Sequence, residues 1–326
     1  MSAELRIAVV GAGRMGSDHI SRIRDRMKKA RLTAVIDINE EAAAQAIEGI
    51  EGAKVYTDAL EALDSGTIDA VLIATPGFLH EAVLIPAIER GLPILCEKPL
   101  TTDSESAWRV VEAEVKAGKK LVQVGFNRRF DAGYQDIKAK LDSGEYGELL
   151  QLNLEHVNPD VPDWYTGRNL IDDTVVHEFD AVRYFTNEEV STVQVRAGKK
   201  SADVLNPELK DPALVLMETT SGVLVTVNTH VVSNYGYQVT TRAITEKNHL
   251  TAGIDQITEG FVERFQDSYD REVQAWIDAA LAGEQVGPSA WDGYAATACC
   301  EAGIEAVENI GSTVTVKLNE KPDLYK

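Results

Sequence analysis

A glycine pattern directly after an apolar run constrains the fold more than any other feature of this chain. The run Leu5–Val10 is followed by Gly11, Ala12, Gly13, Arg14, Met15 and Gly16. In a strand–turn–helix unit, the first glycine permits a tight turn, the second lets the backbone approach a pyrophosphate, and the third allows close helix packing. The N-terminus of the following helix supplies N–H groups and a positive dipole. The pattern predicts that these six residues bind a dinucleotide.

An acidic residue at the end of the second apolar run refines this prediction. Asp37 follows Leu32–Ile36, about twenty residues after Gly16, where a carboxylate accepts hydrogen bonds from the adenosine ribose. Its charge repels a 2′-phosphate, and the neighbouring Ile38 offers no cation to bind one. We therefore expect NAD rather than NADP. The alternative is a glycine turn followed by a solvent-exposed aspartate without a ligand.

The spacing of apolar runs divides the chain into two parts. Over the first 125 residues, short apolar runs alternate with amphipathic stretches, as in parallel strands joined by helices. The predicted strands are Leu5–Val10, Leu32–Ile36, Ala70–Ala74, Pro93–Cys96 and Leu121–Val124. Runs that are apolar at nearly every position suit strands buried on both faces. Residues 1–125 are thus predicted to form an N-terminal Rossmann domain with a doubly wound parallel sheet.

The remaining residues, 126–326, show a different rhythm. Longer strands with alternating apolar and polar residues are predicted at Leu149–His156, Leu214–Thr219 and Val223–Val232. Ser221 and Gly222 form a turn between the last two, and helices are predicted at Phe261–Ala282 and Ala290–Asn309. These helices are expected to cover a sheet face or to form a subunit contact. The whole chain is therefore predicted to be α/β, with a C-terminal α+β domain containing a large, mostly antiparallel open sheet.

Charge and cysteine content exclude several classes of partner. The chain has 32 basic and 52 acidic residues, a formal net charge of -20, which disfavours nucleic acid and anionic membrane surfaces. No apolar run approaches the ~20 residues that span a bilayer. Cys96, Cys299 and Cys300 provide neither a disulfide framework nor metal-ligand spacing, and we expect all three to be reduced and buried. These features predict a cytoplasmic protein without a nucleic-acid or membrane partner.

A lysine follows one of the central predicted strands. Cys96 is followed by Glu97, Lys98, Pro99 and Leu100. Open parallel sheets bind their ligands at the carboxyl ends of strands, so Lys98 is expected to face the cofactor crevice. An ammonium group there could stabilise negative charge developing on a reacting oxygen. The alternative is an ordinary solvated lysine in a loop.

A carboxylate and a histidine occur four residues apart further along the chain. Asp173 and His177 lie in a segment predicted to be an amphipathic helix through Phe185, and this spacing places them on one helix face. A histidine beside a carboxylate can accept a hydroxyl proton. An N-cap aspartate with an unrelated surface histidine is one alternative. A zinc pair is another, but there is no convincing third ligand, and we expect no metal.

These motifs together resemble the glucose-fructose oxidoreductase and inositol dehydrogenase family, and its inositol dehydrogenase branch in particular, over nearly the whole chain. The family-wide motifs are Gly11–Gly16, Ala74–Pro76 with His80, Glu97–Pro99, Phe126–Asp131 and Asp173–Asp180. The motifs that resemble the inositol branch are Glu155–Pro159, Asn234–Tyr237 and Gly287–Tyr294. Tyr165–Leu170 departs from the family, many members of which carry a paired glycine there.

The resemblance implies a role for each matching residue. Lys98 matches the lysine that binds the reacting hydroxyl, Asp173 the carboxylate that anchors the substrate, and His177 the general acid/base. The family positions around the polyol correspond to Arg128, His156, Asn158 and Tyr237, and those near the nicotinamide and its ribose to Thr75, His80, Glu97 and Gln123.

The resemblance also implies an activity and an assembly. The activity is NAD-dependent oxidation of myo-inositol to 2-keto-myo-inositol in a homotetramer, with the active site between the Rossmann crevice and the open face of the second sheet. Activity on scyllo-inositol, D-chiro-inositol or an aldose is the first alternative. An NAD-binding sensor without turnover, or a lyase or hydrolase that recycles tightly held NAD, remains open because fold does not determine chemistry.

Overall fold

A computed structural model describes residues 4–326, which contain two sheets. The strands of the first sheet are β1 (Leu5–Val10), β2 (Ala30–Ile36), β3 (Lys54–Tyr56), β4 (Ala70–Ile73), β5 (Ile94–Cys96) and β6 (Val122–Val124). The strands of the second are β7 (Leu149–Val157), β8 (Val190–Ala197), β9 (Ala213–Thr219), β10 (Leu224–His230), β11 (Gln238–Thr245), β12 (His249–Ala252) and β13 (Thr313–Thr315).

Ten α-helices connect or cover these strands within the described residues. They are α1 (Arg14–Asp25), α2 (Glu40–Ala46), α3 (Ala59–Asp64), α4 (Glu81–Glu89), α5 (Ser104–Ala117), α6 (Ala132–Asp142), α7 (Gly167–Asn169), α8 (Val176–Thr186), α9 (Phe261–Ala282) and α10 (Ala290–Glu308). A π-helical segment, Leu170–Val175, joins α7 to α8, and a short 3₁₀ helix covers Asn127–Phe130.

The first sheet has the order β3-β2-β1-β4-β5-β6, and all of its strand pairs are parallel. The predicted doubly wound sheet is therefore confirmed. Its strand order reverses beside β1, so the carboxyl ends of β1 and β4 form the switch point at which such sheets bind ligands. Gly11 directly follows β1, and Ala74 and Thr75 follow β4. The topology brings the glycine pattern to this point.

The chain forms two compact units whose boundaries differ from a single cut after residue 125. The first unit contains the residues up to Phe126, together with Tyr269–Tyr294 and Glu320–Lys326, and the second contains Asn127–Ser268 and Ala295–Asn319. The C-terminal half of α9 belongs to the first unit because Val273, Trp276 and Ile277 are buried in the same hydrophobic core as β1 and β2. This part of α9 fills the first core rather than covering the second sheet.

The second sheet has seven strands in the order β12-β11-β7-β10-β9-β8-β13. All of its neighbouring pairs are antiparallel except β7 and β10, which are parallel from Gln151 opposite Leu224 to Val157 opposite His230. The expectation of a mostly antiparallel sheet is confirmed, and the parallel pair is β7 with β10. A tight turn at Gly222 (φ +94°) fixes β9 and β10 as antiparallel, whereas the long connection between β7 and β10 allows either direction.

Candidate active site

The glycine turn after β1 has the geometry that its sequence predicts. Gly11 has φ +100°, and a Cβ there would lie 2.8 Å from the carbonyl oxygen of Ala74. A Cβ on Gly16 would overlap the carbonyl oxygen of Gly11, so only glycine lets α1 pack this closely. A Cβ on Gly13 would meet nothing within 4 Å. The turn therefore leaves open space in front of the residue at which a pyrophosphate approaches the backbone.

Asp37 is held beside this turn at the end of β2. Its Oδ2 accepts a hydrogen bond from the N–H of Ala12 at 2.7 Å, and its Oδ1 accepts one from the N–H of Asn39 at 2.9 Å. Ile38 is almost fully exposed and contributes no positive charge. The carboxylate thus has a defined orientation next to the glycine turn, as a ribose-binding acid requires.

Thr75 and His80 differ in what they can offer a ligand. The buried Oγ1 of Thr75, next to the glycine turn, has no hydrogen-bond partner within residues 4–326. His80 is completely buried, and its Nε2 and Nδ1 face the carbonyl oxygens of Thr75 at 2.7 Å and Pro99 at 2.9 Å. Thr75 can therefore bind a ligand directly, whereas His80 joins the loop after β4 to the loop that carries Lys98.

Glu97 and Gln123 are also buried, Glu97 directly after β5 and Gln123 within β6. Glu97 Oε1 lies 2.7 Å from His19 Nε2. Burial raises the pKa of the Glu97 carboxyl, but the hydrogen bond from His19 and the nearby charge of Lys98 outweigh burial and bring this pKa below its ordinary value. Gln123 is completely buried, and its Nε2 donates to the carbonyl oxygen of Glu272 at 3.4 Å. Lys98 itself is half-buried, and the peptide bond that joins it to Pro99 is cis.

In the second unit, three of the predicted substrate residues form a network with Glu178, a residue that the sequence did not indicate as part of the site. Glu178 is buried in α8 and hydrogen-bonds Arg128 Nη1. His156 Nδ1 lies 3.1 Å from Glu178 Oε1 and 3.1 Å from Arg128 Nη2, and Tyr237 Oη lies 3.3 Å from His156 Nε2. Four buried polar side chains thus form one network.

The charges in this network stabilise one another. Burial raises the pKa of Glu178, but the charges of Arg128 and His156 reverse this effect and lower it to about 2. Burial raises the pKa of Tyr237 to about 12, although Arg128 opposes the increase. The His177 ring lies beside this network, with its centroid 6.3 Å from that of His156. Glu178 is therefore a carboxylate under ordinary conditions, and Tyr237 is a neutral phenol.

Asp173 does not lie in the regular α-helix that its spacing from His177 predicts. It belongs to the π-helical segment, whereas His177 lies in the first turn of α8. Short π-helical segments occur frequently at functional sites because the wider turn redirects side chains. His177 is half-buried and Asp173 is exposed. The two residues share a continuous helical segment, but its helical pitch changes between them.

The structure distinguishes Asp173 from its neighbour Asp172. Tyr165 Oη donates to Asp173 Oδ2 at 3.3 Å, whereas Asp172 Oδ2 lies 3.6 Å from Arg168 Nε. Burial, together with the charge of Asp173, raises the pKa of Tyr165 above its ordinary value, so this phenol remains a donor. Asn158 lies just beyond β7, half-buried, and its backbone N–H donates to the carbonyl oxygen of His230 at 3.0 Å.

Neither unit contains an evident metal centre or membrane segment within the described chain. In residues 4–326, no group of three or more histidine, cysteine, aspartate or glutamate residues is arranged to hold a metal ion. None of the helices in that range has the length and apolar character needed to cross a bilayer. All three cysteines are buried free thiols, which confirms the sequence-based expectation.

The glycine turn, the oriented Asp37 and the free hydroxyl of Thr75 define a dinucleotide-binding protein. Comparison with known proteins agrees and identifies an oxidoreductase. Residues 5–126 match the oxidoreductase family described by its NAD-binding Rossmann fold. Residues 134–251 match the GFO/IDH/MocA C-terminal domain, and residues 243–317 match the C-terminal alpha/beta domain of the oxidoreductase family. The chain belongs to the GFO/IDH/MocA oxidoreductase family.

Individual relatives cover the entire chain. Inositol 2-dehydrogenase 1 of Paenarthrobacter aurescens is 52% identical over 100% of both chains, and inositol 2-dehydrogenase of Corynebacterium glutamicum is 45% identical over 100% of both. The crystal structure of myo-inositol dehydrogenase from Lactobacillus casei, in complex with NAD(H) and myo-inositol, is 35% identical. It matches with a TM-score of 0.94 over 99% of this chain and 100% of that one.

Proposed function

We propose that this protein is an NAD-dependent inositol dehydrogenase that oxidises myo-inositol to 2-keto-myo-inositol. The observation that carries the proposal is the TM-score of 0.94 to a myo-inositol dehydrogenase crystallised with NAD(H) and myo-inositol. The relatives named inositol 2-dehydrogenase support the same substrate class over the full chain. Lys98, Asp173 and His177 supply the side chains that oxidation of a ring hydroxyl needs.

The residues around the glycine turn would hold the cofactor. The N–H groups at Gly11–Gly16 and the start of α1 bind the pyrophosphate, while Asp37 binds the ribose and disfavours a 2′-phosphate. Thr75 Oγ1 is buried beside the turn and can donate to the same ligand. Bound NAD supplies the acceptor for the hydride that leaves the substrate carbon.

Three side chains would act on the reacting hydroxyl. His177 accepts its proton, and Lys98 stabilises the negative charge that develops on the oxygen. Asp173 anchors the substrate through a neighbouring hydroxyl. Correct alignment of these groups contributes a large part of the rate enhancement because each must meet a defined atom of the ring.

The other predicted substrate residues divide by burial. Asn158 is half-buried and free to contact a ring hydroxyl through its amide. Arg128, His156 and Tyr237 are buried with Glu178, so only their outermost polar atoms can reach a ligand. A network of this kind keeps polar groups in place for a ligand that presents a hydroxyl on every ring carbon. Glu97, His80 and Gln123 are buried in the first unit, where they hold the segments that would contact the cofactor.

The decisive experiment is NADH formation at 340 nm with NAD or NADP and a panel of myo-, scyllo- and D-chiro-inositol, glucose and xylose. We expect NAD-linked activity with myo-inositol above all other substrates. Activity confined to scyllo-inositol or an aldose would change the substrate but not the site. Absence of turnover across the panel, with NAD still bound, would favour a sensor and contradict the proposal.

Variants test the assigned roles directly. Lys98→Ala and His177→Ala are each expected to lower kcat by ~100-fold or more, with the Kd of NAD nearly unchanged. His249→Gln, which changes an exposed histidine of β12, is the matched control. Loss of NAD binding with unchanged turnover of the bound fraction would contradict these roles.

We also propose that the protein is a homotetramer and is located in the cytoplasm. A homotetramer is supported by the half-exposed outer face of the second sheet, where Leu224 of β10 is 56% exposed and Leu214 and Leu216 of β9 are partly exposed. A cytoplasmic location is supported by Cys96, Cys299 and Cys300, all of which are free thiols. Light scattering coupled to gel filtration would measure the mass, and a monomer would contradict the assembly.

A further inference from the structure

A chain of buried charged and polar side chains in the first unit ends at the residue next to Lys98. His19 and Arg22 of α1 are both completely buried. His19 Nε2 lies 2.7 Å from Glu97 Oε1, Arg22 Nη1 lies 3.2 Å from His19 Nδ1, and Arg22 Nε donates to Asp270 Oδ1 at 2.8 Å. Burying these groups is costly, and apolar residues of similar size would often serve stability equally well.

The donor and the acceptor of each hydrogen bond in this series follow from the chemistry of the side chains. The guanidinium of Arg22 has only donors, so His19 Nδ1 must accept from it. The proton of the His19 ring then resides on Nε2, which donates to Glu97 Oε1. The other carboxylate oxygen of Glu97, Oε2, accepts from the backbone N–H of Lys98 at 3.3 Å. Glu97 therefore connects a fixed histidine to the main chain of the lysine.

We infer that His19 is a positioning residue for Lys98, acting through Glu97. This inference rests on the proposed function, in which Lys98 holds the reacting oxygen. His19 contributes a donor that keeps the Glu97 carboxylate in one orientation, and the carboxylate in turn holds the Lys98 backbone. The short loop between β5 and Leu100 has the His80 ring on its other side, which faces the carbonyl oxygen of Pro99.

The groups that surround this pair determine what its loss would do. Three side chains surround His19: Glu97 at the end of β5, Arg22 on the same helix, and Tyr269 of α9. The Tyr269 ring centroid lies 6.1 Å from that of His19. Glu97 also neighbours Lys98 and Cys96, whose thiol pKa is raised by burial and by the charge of Glu97. Without the donor from His19, burial dominates, and the Glu97 carboxyl would become protonated at higher pH.

The experiment compares His19→Leu with His19→Gln, because glutamine can still present an N–H donor to Glu97. His19→Leu is expected to lower kcat about 10- to 100-fold, the effect of losing a hydrogen bond to a charged group, with the KM for NAD changed less than ~3-fold. The acidic limb of the kcat–pH profile should move to higher pH, because burial then outweighs the remaining interactions that keep Glu97 ionised. His19→Gln should restore kcat to within ~3-fold, and His249→Gln should match the wild type.

A second measurement does not depend on turnover. The Glu97 carboxylate that His19 orients favours the protonated amine of Lys98. Because His19→Leu releases this carboxylate, acetylation of Lys98 by acetic anhydride at pH 7, followed by mass spectrometry, should be several-fold faster in that variant. The same rate in His19→Leu and wild type, or a His19→Gln variant as impaired as His19→Leu, would overturn the inference.

A double-variant cycle separates the inference about His19 from the proposed role of Lys98. If His19 acts through Lys98, adding His19→Leu to Lys98→Ala should lower kcat by less than ~3-fold more. Full additivity would show that His19 acts elsewhere. An unchanged kcat in Lys98→Ala alone would instead refute the proposed role of Lys98, and the acetylation result would still decide whether His19 controls that amine.

Discussion

Replacing Glu178 by glutamine removes the one negative charge from the buried network of Arg128, His156 and Tyr237. The size of the resulting loss in stability follows from the pKa of Glu178. The pKa of Glu178 falls from an ordinary value of 4.5 to about 2 because the charges of Arg128 and His156 outweigh burial. Each pKa unit corresponds to about 1.4 kcal/mol, so ionised Glu178 contributes about 3 kcal/mol to folding at neutral pH. Glu178→Gln should lower the free energy of unfolding by that amount.

The pH dependence provides an independent check. A carboxyl whose pKa is depressed by folding stabilises the protein fully above its unfolded value of 4.5, and this contribution is lost as the pH falls towards 2. The difference between wild type and Glu178→Gln should therefore shrink from about 3 kcal/mol at pH 7 to about 2 kcal/mol at pH 3.5.

The assay is urea unfolding followed by circular dichroism at fixed protein concentration and several pH values. Glu305→Gln, which changes an exposed glutamate on α10, is the control and should leave stability within ~0.5 kcal/mol of the wild type. A loss below ~1 kcal/mol at pH 7, or the same loss at every pH, would refute the reasoning about Glu178.

Two further predictions concern the cofactor and the substrate carboxylate. Asp37→Ala should raise the ratio of NADP- to NAD-linked kcat/KM at least ~10-fold, because the charge that repels a 2′-phosphate is gone; an unchanged ratio would contradict the ribose role. Asp173→Asn should lower kcat/KM for the polyol ~10-fold or more, whereas Asp172→Asn, whose carboxylate is paired with Arg168, should stay within ~3-fold. Equal losses in both variants would mean that the two aspartates share the role.

The first sheet was predictable because its physics is local. Five of its six strands are apolar runs long enough to be recognised, and β1 has the predicted limits, Leu5–Val10. The sixth, Lys54–Tyr56, is as short as β5 and β6, but its residues are exposed or only partly buried, so it has no apolar run to recognise. In the second sheet, β8, β11, β12 and β13 were not predicted, although buried residues alternate along β11. The parallel pairing of β7 and β10 arises from tertiary contacts.

The site was predictable only where a motif encodes it. Gly11, Gly13 and Gly16 have the turn, the space and the packing that their spacing predicts. His19 and Glu178 were missed because a lone charged or polar residue in a helix is usually exposed, and burial beside a partner from another element leaves no local pattern. For His19, its place next to Ile20 on the apolar side of α1 was the available signal.

The path of α9 affects how this protein can be divided. A fragment ending at Phe126 contains the whole first sheet and its glycine turn, but it lacks Val273, Trp276 and Ile277, which are buried against that sheet's core. Such a fragment would expose part of its apolar core to solvent and would tend to aggregate. Supplying residues 269–294 as a separate peptide should solubilise it. The cofactor-binding unit is therefore compact in the folded protein, but its residues are not contiguous in the sequence.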